Sequence, residues 1–227
     1  MELNIYGHAG RPVIVFPSSG GSFHEFADFG MVGCIQNYID DGRVMLFTVG
    51  SVDNESWLNK SAHPADRAHW HNAYDAYIIQ EVVPFVKLKS GREDILATGC
   101  SLGGYHAMNF YLRHPDVFNA VIALSGCYQL TYLVGDYMDE NVYYNSPLHY
   151  LPNCNDPWFL DRYRSGQIIA CCGQGAWETE MINDTAALDG IFRDKHIPAW
   201  CDFWGRDVNH DWDWWRRRLP YFLAFVA

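Results

Sequence analysis

The sequence lacks the features typical of membrane, secreted and nucleic-acid-binding proteins. It has no apolar run near the roughly 18 residues that a membrane-spanning helix needs. Its first residues carry neither the basic patch nor the apolar segment of a signal peptide. Basic residues are few, since 16 Lys and Arg stand against 27 Asp and Glu and give a formal charge of −11. Because this charge repels phosphates and anionic lipids, we expect no nucleic-acid partner and no membrane partner. The lack of a membrane span and of a signal peptide predicts a cytoplasmic location.

The cysteine and histidine patterns do not indicate a disulfide framework or a metal site. The seven cysteines are odd in number and show no C-x-x-C spacing. Most lie in apolar runs, where a free thiol behaves as a small hydrophobic group. The histidines at 63, 69 and 71 are close in sequence, but His69 and His71 fall on different faces of a helix, and no carboxylate spacing completes a ligand set. We therefore predict that the protein has no metal and no other cofactor.

Short apolar runs alternate with longer helical patterns along the whole chain. Strands are predicted at residues 13–16, 44–49, 95–98, 121–124, 168–172 and 199–203, and helices at 26–39, 64–83, 103–113, 178–195 and 212–226. Pro84 is expected to end or kink the second helix, and Pro220 to bend the last one. Alternating helices and fully apolar strands predict a single α/β domain, in which helices cover both faces of a mainly parallel sheet.

One segment carries the pattern of an activated nucleophile. After the predicted strand at 95–98, residues 98–104 read TGCSLGG, and the chain then continues as a helix. A strand, a GxSxG sequence and a helix in this order form a nucleophile elbow at the carboxyl end of a sheet. Glycines flank the serine because a side chain there would collide with the neighbouring strand or helix. Ser101 is therefore the predicted nucleophile, and the Leu102 N–H is a predicted oxyanion donor. Cys100 lies one position too early for the strained site.

Chain order identifies the partners of this serine, because hydrolases with such an elbow present the nucleophile, then the acid, then the histidine. His210 lies in the polar loop between the last predicted strand and the last helix and is the predicted base. The acid should follow the strand at 168–172, where Glu178 comes first and would fix the tautomer of the histidine. Glu180 and Asp184 stay as alternatives, since each can also be a favourable charge in the first turns of the next helix.

The remaining predicted site residues come from an early loop and from aromatic side chains. The sequence PSSGG at 17–21 follows a strand and can turn a backbone N–H inward, so Ser19 or Gly20 is the predicted second oxyanion donor. His106 and His114, in the helix after the elbow, are predicted to be structural. Aromatic residues that could stack on a sugar or aryl group of the substrate are expected at the rim, namely Trp57, Tyr105, Trp177, Trp204 and Trp212.

With these motifs, the chain resembles the esterase family of α/β-hydrolases that includes esterase-D-like enzymes, feruloyl and acetyl esterases, enterochelin esterases and mycolyltransferases. The resemblance extends from the early strand and its Gly-rich loop to the His210 segment, and residues 98–104 are its most specific part. It implies the α/β-hydrolase fold for residues 1–227, with Ser101 as nucleophile and His210 as base. Residues 127–164, which are rich in Tyr, Asn, Asp and Pro and break the alternation of strands and helices, are predicted to be a small insertion. The acid loop of this family varies and some relatives use a Ser–His pair alone, so the acid stays open.

These patterns together predict a serine carboxylic-ester hydrolase that acts through an acyl-enzyme on a small or sugar-linked ester. An acyltransferase with the same triad is the alternative. A binding protein on a hydrolase scaffold is a third hypothesis, against which the intact Ser101 and His210 argue. The predicted partner is a small-molecule ester, and the sequence is also compatible with a homo-oligomer.

Overall fold

The computed structural model describes residues 2–227 and places its seven strands in one sheet with the order β1-β3-β2-β4-β5-β6-β7. The strands are β1 (Leu3–Tyr6), β2 (Arg11–Phe16), β3 (Val44–Val49), β4 (Ile95–Cys100), β5 (Phe118–Leu124), β6 (Gln167–Cys172) and β7 (Ala199–Phe203). Every neighbouring pair is parallel except β1 with β3. The predicted mainly parallel sheet is therefore confirmed. The sequence analysis missed only β1, an antiparallel edge strand that is incompletely buried.

Helices cover both faces of the sheet, as predicted. They are α1 (Glu25–Asp28), α2 (Met31–Cys34), α3 (Gln36–Asp40), α4 (Pro64–Tyr77), α5 (Val83–Ser90), α6 (Leu102–Arg113), α7 (Thr131–Val134), α8 (Glu140–Tyr143), α9 (Pro147–Tyr150), α10 (Pro157–Ser165), α11 (Thr179–Asp194) and α12 (Trp212–Val226). One buried cluster joins the sheet to α4, α5, α6 and α11, and a second joins it to α1–α3 and α12. Within residues 2–227, no helix combines the length and apolarity needed to cross a membrane.

Two predicted helices differ in detail from the structure. The single helix predicted over 26–39 was wrong, because the chain forms α1, α2 and α3 there. Gly30 separates the first two with a φ of 75°, a left-handed conformation that a regular helix cannot contain. The helix predicted at 64–83 continues past Pro84 to Ser90 through a π-helical turn at Ile78–Val82. The proline lacks an N–H and crowds the carbonyl four residues earlier, and a wider turn accommodates both effects.

The predicted insertion at 127–164 lies between β5 and β6 and contains α7 to α10 with a 3₁₀ turn at Leu151–Asn153. Its first part lies over the carboxyl ends of the strands, where its side chains share a pocket with Ser101. Asp184 of α11 holds this part in place, because its carboxylate accepts hydrogen bonds from the backbone N–H groups of Tyr128 (2.6 Å) and Gln129 (3.1 Å). We refer to residues 127–164 as the cap.

Candidate active site

Ser101 lies at a strained turn between β4 and α6. Its φ of 57° and ψ of −123° are unusual for any residue other than glycine, and such strain is concentrated at functional sites. A Cβ added to Gly99 would lie 2.7 Å from the carbonyl oxygen of Phe16, and one added to Gly103 would lie 2.5 Å from that of Pro17. Both positions therefore require glycine, as a nucleophile elbow does.

The imidazole of His210 faces this serine. Its Nε2 lies 2.9 Å from Ser101 Oγ. The histidine loop is fixed by the His210 N–H, which donates to the carbonyl of Ala176 at 3.0 Å. The ring also packs edge-on against Trp215, with centroids 4.9 Å apart and an interplanar angle of 84°. The structure thus brings together the two residues that chain order paired, at a distance suited to proton transfer.

Glu178 occupies the other side of the imidazole and is fully buried. Its Oε2 lies 3.5 Å from His210 Nδ1, at the outer limit of a hydrogen bond, and within residues 2–227 neither atom has a closer polar partner. Its Oε1 accepts hydrogen bonds from Ser125 Oγ at 2.6 Å and from Arg218 Nη2 at 3.3 Å. The two oxygens therefore have separate tasks, since one faces the histidine and the other is held by the protein.

The surroundings of Glu178 favour its charged form. Burial raises the pKa of this carboxyl, but the hydrogen bonds from His210 and Ser125 and the charge of Arg218 outweigh burial and lower the pKa below its usual value. Arg218 is itself fully buried, so the cation and the carboxylate depend on each other. Near neutral pH, the site therefore holds an anion beside His210.

The alternative acids lie elsewhere. Glu180 is exposed, and its carboxylate does not contact the histidine. Asp184 is buried, but its carboxylate accepts four hydrogen bonds from the cap, which come from the backbone of Tyr128 and Gln129 and from the side chains of Gln129 and Tyr132. Of the candidate carboxylates, the structure therefore brings only Glu178 to the imidazole.

Two backbone N–H groups beside Ser101 are available for an oxyanion. Leu102 begins α6, Ser19 follows β2, and both residues line the pocket that contains Ser101. In the described chain neither N–H has an acceptor. The Gly20 N–H, in contrast, donates to Asp53 Oδ2 at 3.2 Å. Of the two loop residues predicted as the second donor, the structure therefore leaves the N–H of Ser19 free and engages that of Gly20.

The pocket at Ser101 has a volume of about 140 Å³. It is lined by Ser19, Ser101, Leu102, Tyr105, Cys127, Gln129, Leu130, Tyr132, Leu133 and Met181. An apolar cavity of roughly 150 Å³ holds a molecule the size of benzene, so this pocket has room for a group of about that size. Burial raises the pKa of the Cys127 thiol to about 12, so the thiol stays protonated and is not a competing nucleophile.

The aromatic residues predicted at the rim occupy different environments. Trp57 is fully buried behind the pocket, which corrects its expected place at the rim. Tyr105 is also buried. Its side chain lines the pocket while its hydroxyl donates to the Asn145 carbonyl at 2.8 Å. Trp204 packs edge-on against Tyr221, with centroids 5.6 Å apart, and does not line the pocket.

The two remaining tryptophans reach the surface. Trp177 is 83% exposed and directly precedes the buried Glu178 in the chain. Trp212 stacks on Phe29 with ring centroids 4.4 Å apart and packs edge-on against Trp215. Trp215 in turn contacts His210, so an aromatic stack leads from the imidazole to the surface.

Sequence reasoning missed the residues that support the acid, Ser125 and Arg218. Ser125 directly follows β5 and has a φ of 53°, a conformation that the sequence does not reveal. Arg218 did leave a signal, because it lies on the apolar face of α12 beside Trp215, Leu219 and Phe222. A cation in such a stripe indicates a buried anion as its partner.

The histidines at 63, 69 and 71 do not form a cluster. His63 caps α4 by accepting from the Ala65 N–H, and His71 is fully buried. Across residues 2–227, no three His, Cys, Asp or Glu side chains are arranged to hold a metal ion.

The model of a protein family described as "Putative esterase" matches residues 4–226. The chain belongs to this esterase family. It is a carboxylic ester hydrolase, as the sequence predicted. No curated protein matches the sequence significantly.

Solved structures with this fold include several hydrolases. A ferulic acid esterase shares 20% identity over 96% of this chain and 84% of that chain, with a TM-score of 0.74. An S-formylglutathione hydrolase from Agrobacterium tumefaciens shares 11% identity over 98% and 87% of the chains, with a TM-score of 0.73. One from Staphylococcus aureus shares 16% identity over 97% and 82%, with a TM-score of 0.65. At these identities the similarity establishes the α/β-hydrolase fold.

Proposed function

We propose that the esterase hydrolyses esters of short acyl groups through an acyl-enzyme on Ser101, with His210 as general base and Glu178 as the orienting acid. The observation that carries this proposal is the 2.9 Å contact between Ser101 Oγ and His210 Nε2 at a strained elbow. The buried Glu178 on the far side of the imidazole supports it.

The reaction follows from these positions. His210 Nε2 takes the hydroxyl proton as Ser101 Oγ attacks the ester carbonyl carbon, and the carbonyl oxygen becomes negative. The N–H groups of Leu102 and Ser19 donate to that oxygen, and the N-terminus of α6 adds a favourable dipole. His210 then protonates the leaving alcohol and afterwards deprotonates the water that releases the acid. Throughout, the Glu178 carboxylate faces the N–H at Nδ1 of His210, keeps the proton on that nitrogen and stabilises the imidazolium.

Pocket size indicates the acyl part of the substrate. A volume of about 140 Å³ suits groups of up to about six heavy atoms and is too small for a feruloyl group. The similar structures are named for feruloyl and formyl substrates, and of these two acyl groups the formyl group fits this pocket readily. The alcohol part extends out of the pocket, and the exposed Trp177, next to Glu178 in the chain, is the proposed flat surface for a sugar or aryl ring.

A chain-length series tests this function. Wild-type enzyme is assayed with p-nitrophenyl esters from acetyl to octanoyl, and kcat/KM should fall steeply beyond about six heavy atoms of acyl group. Ser101→Ala should abolish turnover and labelling by a fluorophosphonate, whereas Ser61→Ala, which alters an exposed serine, should change neither. Retained turnover in Ser101→Ala would refute the mechanism.

A second assay distinguishes a hydrolase from an acyltransferase. With an alcohol acceptor added, the free acid should remain the main product. A transesterified ester as the main product would identify an acyltransferase instead.

A further inference from the structure

An aspartate–histidine pair is buried behind the nucleophile. His106 Nε2 lies 2.8 Å from Asp53 Oδ1, and both side chains are about 1% exposed. Neither residue reaches Ser101 or the imidazole of His210, so the pair takes no part in the proton transfers. Because the contact is buried, the carboxyl cannot exchange its partners for bulk water.

The other oxygen of Asp53 holds the loop between β2 and α1. Asp53 Oδ2 accepts the N–H of Gly20 at 3.2 Å, and the neighbouring Ser51 Oγ donates to the Gly21 carbonyl at 3.0 Å. On its other side, the loop is held by Glu25, whose carboxylate accepts the N–H and the hydroxyl of Ser18, both at 2.8 Å.

These contacts leave one N–H of the loop free. Ser18 donates to Glu25, Gly20 to Asp53 and Gly21 to the carbonyl of Ser18 at 2.9 Å. Within residues 2–227, the Ser19 N–H is the one in this run that has no acceptor, and it is also the proposed oxyanion donor. Because the N–H groups on both sides of Ser19 are hydrogen-bonded, the direction of the Ser19 N–H is fixed.

We propose that Asp53 and His106 are positioning residues that set the geometry of the oxyanion hole. His106 lies four residues after Leu102 on α6, so it is one turn from the first oxyanion donor. From Leu102 the path runs one helical turn to His106 and then through a buried hydrogen bond to Asp53. A partly buried hydrogen bond continues it from Asp53 to Gly20, the neighbour of the second donor. This inference rests on the proposed function, since it assigns a role at the same site.

The reason for such a link is preorganisation. Oxyanion donors act because they already point at the position where charge develops, and a displacement of about 1 Å can reduce the rate about 100-fold. A loop that ends in glycines needs external contacts to hold this geometry. A buried carboxyl with two partners supplies them, because any shift of the loop would leave it unsatisfied.

The test compares Asp53→Leu with a matched variant, Asp75→Leu. Asp75 also pairs with a histidine, since His114 Nε2 lies 3.0 Å from its carboxylate. His114 directly follows the end of α6, roughly 18 Å along the helix axis from Leu102. We measure kcat, KM, melting temperature and the affinity of an alkylboronic acid, whose tetrahedral adduct with the nucleophile places an oxygen in the oxyanion hole.

Asp53→Leu should lower kcat and boronate affinity by about 10- to 100-fold, with KM changed less than about threefold. Asp75→Leu should lower the melting temperature without either loss. Asp53→Asn should recover most of the activity, because its carbonyl can accept from Gly20 while His106 changes tautomer and accepts from the amide. Unchanged kcat and boronate affinity in Asp53→Leu, or equal losses in both Leu variants, would overturn the proposal.

A measurement on the wild-type protein covers the case in which Asp53→Leu does not fold. Amide hydrogen exchange should show a protected Gly20 N–H and a rapidly exchanging Ser19 N–H. A Gly20 amide that exchanges as fast as that of Ser19 would also overturn the proposal. Failure of the proposed function is distinguishable, because it would appear as retained turnover in Ser101→Ala.

Discussion

Replacing Glu178 with glutamine removes the charge of the proposed acid while keeping its shape. In Glu178→Gln the carbonyl oxygen can still accept from Ser125 and Arg218, as Oε1 does in the wild type. The amide NH₂ then faces His210 Nδ1. It donates to that atom and favours the tautomer with the proton on Nε2, which cannot accept the proton of Ser101.

The size of the effect follows from the geometry. An imidazolium and a carboxylate 3.5 Å apart interact by about 5 kcal/mol at an effective dielectric constant of roughly 20. At about 1.4 kcal/mol per factor of ten, losing this interaction in the transition state lowers kcat by about 10³-fold. The unfavourable tautomer adds to this loss, so we expect a decrease of about 10³- to 10⁴-fold with little change in KM.

The same substitution should reduce stability, because Arg218 is fully buried and loses its anionic partner. We expect a cost of about 1–3 kcal/mol, read as a lower melting temperature by circular dichroism. Glu180→Gln is the matched control, since Glu180 lies on the next helix turn and is exposed, and it should alter neither kcat nor stability. If Glu178→Gln kept kcat within about tenfold of wild type while losing stability as expected, the enzyme would be a Ser–His dyad and Glu178 a structural partner of Arg218.

The pH dependence provides a second check on Glu178. Its pKa is lower in the folded protein than in the unfolded chain, where it is about 4.3. The ionised carboxylate therefore stabilises the fold above the unfolded pKa, and this contribution is lost as the pH falls through the folded pKa. The difference in melting temperature between wild type and Glu178→Gln should be full near pH 7 and should shrink below about pH 4. A difference that grows on acidification would contradict this sign.

Three further predictions concern the nucleophile, the elbow and the cap. Ser101→Ala and His210→Ala should each lower kcat by about 10⁴-fold or more and the double variant should be little worse, so additive losses would show that the wrong histidine is paired. Gly103→Ala should lower the free energy of unfolding by about 3 kcal/mol or more, because the added Cβ would lie 2.5 Å from the Pro17 carbonyl oxygen. Gly190→Ala on α11 has open space around it and should raise the free energy of unfolding by about 0.5–1 kcal/mol. Chemical denaturation measures both. Asp184→Ala should destabilise the protein by about 2–4 kcal/mol and weaken the preference for short esters. An unchanged dependence of kcat/KM on acyl chain length would show that the cap does not select the acyl group.

The sequence predicted what local patterns determine. The central strands are fully buried and read as continuous apolar runs, so their number and direction followed from the pattern. The elbow at Ser101 was predictable because its constraints lie within five residues. The choice of His210 needed only chain order, since the loops after parallel strands meet at one edge of the sheet.

What the sequence did not predict depends on contacts between distant segments. Trp57 and Trp177 look equivalent as residue types, yet one is buried and the other is 83% exposed, because burial is set by the packing of the whole chain. The hydrogen bonds that engage Asp184 and Gly20 come from distant segments, namely the cap and the loop after β3. They are therefore visible only in the folded structure. The break at Gly30 required a left-handed conformation that a helical pattern does not exclude.

Many of the residues that line the pocket lie in one segment of the chain, the cap, and the residues proposed for the reaction lie outside it. Five of the ten residues that line the pocket at Ser101 lie at 127–133 in the cap, whereas the groups proposed to move protons and stabilise charge come from loops at the strand ends outside the cap. Substrate range can therefore diverge through changes in one contiguous segment, without rebuilding the reaction centre. Replacing the cap while keeping Asp184 as its anchor is accordingly the direct route to new acyl selectivity, and activity on an acetyl ester reports whether the chemistry has survived the exchange.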